Sequence, residues 1–121
     1  MPASFASTNL SVDKLVVDWT KVITRQITLI SGQNLTRGAV LGKITASSKY
    51  NLSLSAAVDG SQTPDLILAD DTDAPGGDKA TVAYDAGSFN TNALTLGSAH
   101  TLASIQEGLR AKGIHFHTAQ A

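Results

Sequence analysis

The chain has 121 residues, with 9 basic and 10 acidic side chains and a formal net charge of -1. This length fits one domain with a hydrophobic core, and the balanced charge lacks the positive surface typical of nucleic-acid binding. The absence of cysteine excludes disulfides and thiolate chemistry. No apolar run approaches the roughly 18 residues of a membrane span, and the N-terminus lacks a secretory-signal pattern. We therefore expect neither a nucleic acid nor a membrane as a direct partner.

The first 14 residues differ in composition from the rest of the chain. They are rich in Ala, Ser, Thr and Asn, and Phe5, Leu10 and Val12 are isolated apolar positions. A segment of this composition has too few clustered apolar side chains to build a core. We interpret residues 1–14 as a flexible N-terminal arm and residues 15–121 as a single β-rich domain.

Strand patterns dominate after the arm. Residues 22–30 are β-branched and alternating, which predicts a half-buried strand with Ile23, Ile27 and Leu29 on one face. Further strands are predicted at residues 38–44 and 50–55. The continuous apolar run 66–69 indicates a strand covered on both faces, and residues 80–89 are its expected partner.

The C-terminal part predicts one helix followed by a closing strand at 114–117. Thr101 can cap the helix, and Leu102, Ile105 and Leu109 share one face of it. Gly113 after the basic last turn is typical of a left-handed helix end. The predicted fold class is mainly β, a small compact β-barrel-like domain with one C-terminal helix.

Two segments partly match ligand-binding loops. Residues 38–44 have glycines at the ends of a short run, but with three residues between them instead of four and with Ile44 where a phosphate-binding loop has Ser or Thr. The acidic segment 70–76 suggests a calcium loop, but the fifth and twelfth positions counted from Asp71 are Pro75 and Val82. We interpret the first as a strand and the second as a turn with solvated carboxylates.

The histidines and the tryptophan also suggest no established chemistry. His115 and His117 lie two apart on a predicted strand and share a face, but no third metal ligand can be named. His100 is a candidate base for a nearby serine, although no nucleophile elbow and no orienting acid are identifiable. Trp19 is interpreted as a packing residue. We predict no catalytic residue, no cofactor and no metal site.

Three ordered landmarks resemble a known family. They are RGAVLGKI at residues 37–44, PDLILADDTD at 64–73 and YDAGSFN at 84–90, and together with the flanking sequence they cover about residues 35–117. They resemble the head decoration proteins of lambda-like tailed bacteriophages, which stabilise capsids. None of the landmarks carries chemistry, so the resemblance indicates a fold family and transfers no catalytic residue.

The resemblance implies a β-tulip domain and a non-enzymatic structural function. The implied protein is made in the host cytoplasm and binds the outer surface of the expanded head as a homotrimer, where it stabilises the head against the pressure of the packaged DNA. The implied partner is the major capsid protein, reached by the arm, with Phe5, Leu10 and Val12 as candidate capsid-binding residues.

Two alternatives from other classes share this composition. One is another virion adaptor associated with the tail or its fibres, and the other is a small β-barrel ligand-binding module or enzyme. A module of the second kind needs a pocket with convergent polar groups, for which the acidic turn and His100 are the available material.

Overall fold

The computed structural model describes residues 15–117, and the predicted arm lies outside these residues. The mainly β prediction is confirmed, with one α-helix and a short 3-10 helix in the described part. The strands are β1 (Val16–Leu29), β2 (Gln33–Leu35), β3 (Val40–Lys43), β4 (Tyr50–Leu52), β5 (Pro64–Leu68), β6 (Thr72–Ala74), β7 (Lys79–Asn90) and β8 (Ile114–His117). The 3-10 helix is Thr91–Ala93, and helix α1 is Leu102–Arg110.

Five of these strands form a closed barrel. Their order is β1, β4, β3, β5 and β7, and β7 pairs again with β1 to close the sheet. Strand β8 runs parallel to the C-terminal part of β7, and β2 and β6 form a separate two-stranded sheet. The expected pairing of 66–69 with 80–89 is confirmed, because Ile67 lies opposite Tyr84.

The apolar side chains pack into two clusters, one on each face of the barrel wall. The interior cluster contains Leu66 and Leu68 of β5, whereas Ile67 points to the outer cluster. Because successive side chains of a strand point to opposite faces, a strand buried on both sides has a continuous apolar run. This confirms the interpretation of residues 66–69. Helix α1 covers the outer cluster with Ile105 and Leu109, both of which are buried.

The helix begins and ends close to the predicted positions. The Thr101 hydroxyl accepts a hydrogen bond from the Ser104 amide at 3.2 Å, and the Ser104 side chain accepts one from the Thr101 amide at 2.9 Å. This reciprocal cap satisfies two amides of the first turn that have no partner within the helix. Gly113 has a φ of 94°, the left-handed conformation expected after the last turn.

The predicted buried face of β1 is wrong at Ile23. Ile27 and Leu29 are buried as expected, but the Ile23 side chain is 57% exposed. The pairing of β1 with β7 shifts register between Asp18 and Ile23 and again between Ile23 and Thr24. A bulge of this kind changes the direction of the strand locally, and the simple alternation of faces does not extend through it.

Gly42 marks a close approach of two backbones. It lies at a register shift between β3 and β5, and a Cβ atom there would overlap the backbone of Ser61. The position therefore requires glycine for space, whereas an added Cβ at Gly108 of α1 would meet nothing within 4 Å.

We expect the two glycines to respond in opposite ways to alanine. Gly42→Ala should lower the free energy of unfolding by about 1 to 3 kcal/mol, because the barrel wall must shift. Gly108→Ala, the control, should raise it by about 0.5 to 1 kcal/mol through helix propensity. Urea denaturation measures both changes, and an unchanged midpoint for Gly42→Ala would contradict the close approach.

Candidate functional site

The point where the predicted arm joins the domain is firmly held. Leu15 and Val16 are 2% and 4% exposed and belong to the outer apolar cluster. The Leu15 carbonyl accepts a hydrogen bond from the Asn90 amide at 2.7 Å, and Val16 pairs with Phe89. We call Leu15 and Val16 the arm root. Packing and strand pairing therefore fix the position of the arm root on the barrel.

The structure does not describe the candidate capsid-binding residues themselves. The whole predicted arm, residues 1–14, lies outside residues 15–117, and with it Phe5, Leu10 and Val12. The Trp19 side chain is also outside the description, so its predicted packing role stays a prediction.

The segment that follows β7 lies beside the arm root. The Asn90 side chain accepts a hydrogen bond from the Asn92 amide at 3.1 Å and begins the 3-10 helix. Gly38, with a φ of 101°, lies against the Ala93 carbonyl, and its own carbonyl accepts a hydrogen bond from the Thr95 amide at 3.0 Å. These contacts fix residues 90–95 beside the arm root.

His100 does contact a serine. Its Nε2 atom lies 3.1 Å from the Ser53 hydroxyl, which also donates a hydrogen bond to the Ser61 carbonyl at 2.7 Å. A hydroxyl has one proton, and a carbonyl can only accept, so the His100 N–H donates to Ser53. A serine nucleophile requires the opposite arrangement, in which the imidazole accepts the hydroxyl proton. Ser53 is also fully buried. The contact therefore has the geometry of a structural link between the β4–β5 loop and the segment before α1.

The acidic segment 70–76 contains the short strand β6 where we expected only a turn, and its carboxylates are exposed. Asp73 is exposed on β6 between the buried Thr72 and Ala74. The Asp71 carboxylate accepts a hydrogen bond from the Arg37 amide at 2.8 Å. Among residues 15–117, no three His, Cys, Asp or Glu side chains are grouped to hold a metal ion.

The remaining sequence candidates are placed as predicted. His115 and His117 are exposed on β8, with Phe116 half-buried between them. They share a shallow groove with Gln106 and Arg110 of α1. The glycine-bracketed segment 38–44 contains strand β3, with Val40 and Leu41 buried. In the part of the chain that is described, no helix is long and apolar enough to cross a membrane.

One feature of the surface was missed by sequence reasoning. Leu54 and Val58, on the loop after β4, are exposed large apolar side chains. The next charge, Asp59, is directed back into its own loop, because its carboxylate accepts hydrogen bonds from the Ser61 hydroxyl and amide. These bonds, led by the one from the hydroxyl, lower the pKa of Asp59 below its ordinary value. The available signal in the sequence was the absence of charge from residue 50 to residue 58.

Comparison with known proteins establishes the family. The family model described as bacteriophage lambda head decoration protein D matches residues 11–116. The match covers most of the chain, and the chain belongs to this family. The matched region begins well before the first landmark and includes the arm root and β1. No curated protein matches the chain.

Family membership gives the protein a structural function in the phage head. Its members are decoration proteins of the capsid, and this chain is a capsid-associated virion protein. The contact between Ser53 and His100 is consistent with a structural function, because it joins two loops and offers no free nucleophile.

We expect Ser53→Ala to destabilise the domain. The substitution leaves the Ser61 carbonyl and His100 without this shared partner, which should lower the free energy of unfolding by about 1 to 3 kcal/mol. Ser55→Ala, an exposed neighbour, is the matched control and should change it by less than about 0.5 kcal/mol. Thermal or urea denaturation compares the two variants, and equal stability would show that the buried link contributes nothing.

Proposed function

We propose that this protein binds the outer surface of the expanded phage head as a homotrimer and stabilises the head against the pressure of the packaged DNA. Its partner is the major capsid protein, and the protein is made in the host cytoplasm before it joins the virion. The observation that carries the proposal is the buried arm root, together with membership of the head decoration family.

The arm is the proposed capsid contact. Fourteen extended residues span up to about 46 Å, so residues 1–14, which join the domain at Leu15, can reach well beyond the barrel. Phe5, Leu10 and Val12 are the proposed anchors. An extended segment binds a partner by adding to a strand edge, where backbone hydrogen bonds give affinity and alternate side chains give register.

The weak binding expected of a single arm favours a trimer. Ordering a segment costs about 1 to 2 kcal/mol per residue in backbone entropy, so three apolar anchors hold one copy weakly. Three arms on one closed trimer bind together, and the second and third bind at a high effective concentration. Avidity therefore supplies the affinity that one arm lacks.

Removal of the arm should abolish head binding and leave the domain folded. A variant that begins at Lys14 is compared with the full chain for melting temperature and for co-sedimentation with purified expanded heads that lack the protein. Unchanged melting with lost binding supports the proposal. The full-length variant with Phe5, Leu10 and Val12 all changed to Ser is the matched control for arm length, and it should bind as weakly. Unchanged binding by the shortened protein would contradict the role of the arm, and a lowered melting temperature would show that the arm packs on its own domain.

We expect three copies at each binding site. Sedimentation equilibrium of the free protein gives its mass in solution, and an electron-microscopy map of decorated heads gives its arrangement on the shell. DNA-filled heads that carry the protein should also release their DNA at a higher temperature than DNA-filled heads without it. A monomer both in solution and on heads would rule out the trimer.

A further inference from the structure

A groove with basic side chains lies between β1, the loop that joins β3 to β4, and the segment after α1. It consists of two adjoining clefts, one of about 350 Å³ that reaches Arg25 of β1 and one of about 310 Å³ that reaches Lys112. Lys43 and Ser48 line both clefts, so the two are continuous. We call the surface from Arg25 across Lys43 and Ser48 to Lys112 the basic groove.

Positive charge exceeds negative charge along the basic groove. Arg25, Lys43 and Lys112 line it, whereas Asp65 is the one acidic side chain among its described lining residues. The whole chain has a net charge of -1, so this local excess of cations is not a consequence of composition. A cleft lined by charges of one sign raises the local concentration of ligands of the opposite sign. Serine and threonine hydroxyls add further hydrogen-bond donors, and they belong to Thr28, Thr45, Ser48 and Thr63.

The acidic side chains next to the basic groove already have partners. The Asp65 carboxylate accepts a hydrogen bond from the Tyr50 hydroxyl at 3.1 Å and one from the Lys112 ammonium group at 2.8 Å. Burial and the charge of Asp65 raise the pKa of Tyr50, so the phenol keeps the proton that it donates. Asp85 is bonded to Arg25 at 3.0 Å. The negative charges at both ends of the groove are therefore balanced by its own cations.

Lys43 supplies the charge that is not balanced. Its side chain is exposed at the end of β3, and no carboxylate among the described residues forms an ion pair with it. The ion pairs of Arg25 and Lys112 are exposed as well, with 51% and 42% of these two side chains accessible to solvent. Exposed ion pairs contribute little to stability, so an anionic ligand can replace either carboxylate at little cost.

A strained turn holds the centre of the basic groove. Ser48 has a φ of 62°, in the left-handed region that residues other than glycine rarely adopt. The Ile44 amide donates a hydrogen bond to the Lys49 carbonyl, and the Ser48 amide donates one to the Ile44 carbonyl, both at 2.8 Å. Backbone strain that the surrounding structure holds in place is concentrated at ligand-binding sites. The turn fixes Ser48 and Lys43 where the two clefts meet.

We propose that the basic groove binds a linear polyanion that carries phosphate groups, with Lys43 as the central contact and Arg25 and Lys112 as the contacts at the two ends. Three cations spread along a groove suit charges spaced along a chain better than a single ion. Inorganic polyphosphate and a poly(glycerol phosphate) of a cell surface share this chemistry.

The proposed site is separate from the arm root. Arg25 lies nine residues after Val16 on β1, which corresponds to up to about 30 Å along an extended strand. The inference goes beyond the proposed function and does not depend on it, because the basic groove uses none of the residues that hold the arm.

The test removes the central cation and, as a control, a cation elsewhere. Lys43→Gln removes the exposed charge in the groove, and Arg110→Gln removes an exposed charge on α1 that lies outside the groove. Both variants are made in the full chain. Binding of labelled inorganic polyphosphate, of poly(glycerol phosphate) and of a single-stranded oligonucleotide is measured by fluorescence anisotropy at several salt concentrations, together with the melting temperature of each protein.

We expect the unchanged protein to bind at least one of the two base-free polymers. The logarithm of its association constant should fall with the logarithm of the salt concentration with a slope of about -2, as three phosphate contacts imply. Lys43→Gln should bind about fivefold more weakly and with a slope of about -1.4, since one cation is lost. Its melting temperature should not change, because Lys43 has no ion pair among the described residues, and Arg110→Gln should bind as the unchanged protein does.

Binding of one base-free polymer alone supports the proposal and identifies the source of the ligand. Failure to bind either polymer would overturn it, as would equal binding by Lys43→Gln and the unchanged protein. Equal weakening by Arg110→Gln would show that the effect is one of net charge and would also overturn it. Tighter binding of the oligonucleotide than of both base-free polymers would assign the groove to nucleic acid instead.

Discussion

The structure depends on the pairing of β7 along both of its edges. One edge of β7 pairs with β1, and the other pairs first with β5 and then with β8. This arrangement closes the barrel, which leaves no open edge between its first and last strands. It also holds both ends of the described chain, because Val16 lies opposite Phe89, which in turn lies opposite Phe116.

Closure of the barrel gives the binding function a rigid base. In the proposed binding mode the arm loses less entropy on binding because its start is already fixed, since the arm root is held by the outer apolar cluster. The loops beside it are held by backbone hydrogen bonds and by the link between Ser53 and His100. Packing and backbone hydrogen bonds thus fix both the arm root and the loops that follow β4 and β7.

Local patterns predicted much of the fold. The apolar run 66–69, the alternation in 114–117 and the cap at Thr101 each depend on residues close together in the sequence, and each is confirmed. The family was recognisable from three landmarks that carry no catalytic residue, because the strand and turn residues of these landmarks occur in a fixed order along the chain. The arm and its anchors Phe5, Leu10 and Val12 stay predictions, since they lie outside the described residues.

The sequence by itself determined the β-rich class, the single helix, and the absence of cysteine and of charge in residues 86–106. Only the tertiary structure decided that Ile23 is exposed, because a bulge is set by the pairing of β1 with β7 and has no local signal. It also decided that Ser55 lies beside Ser98. Contacts between segments so far apart in the chain form only when the sheet closes into a barrel, so no local sequence pattern indicates them.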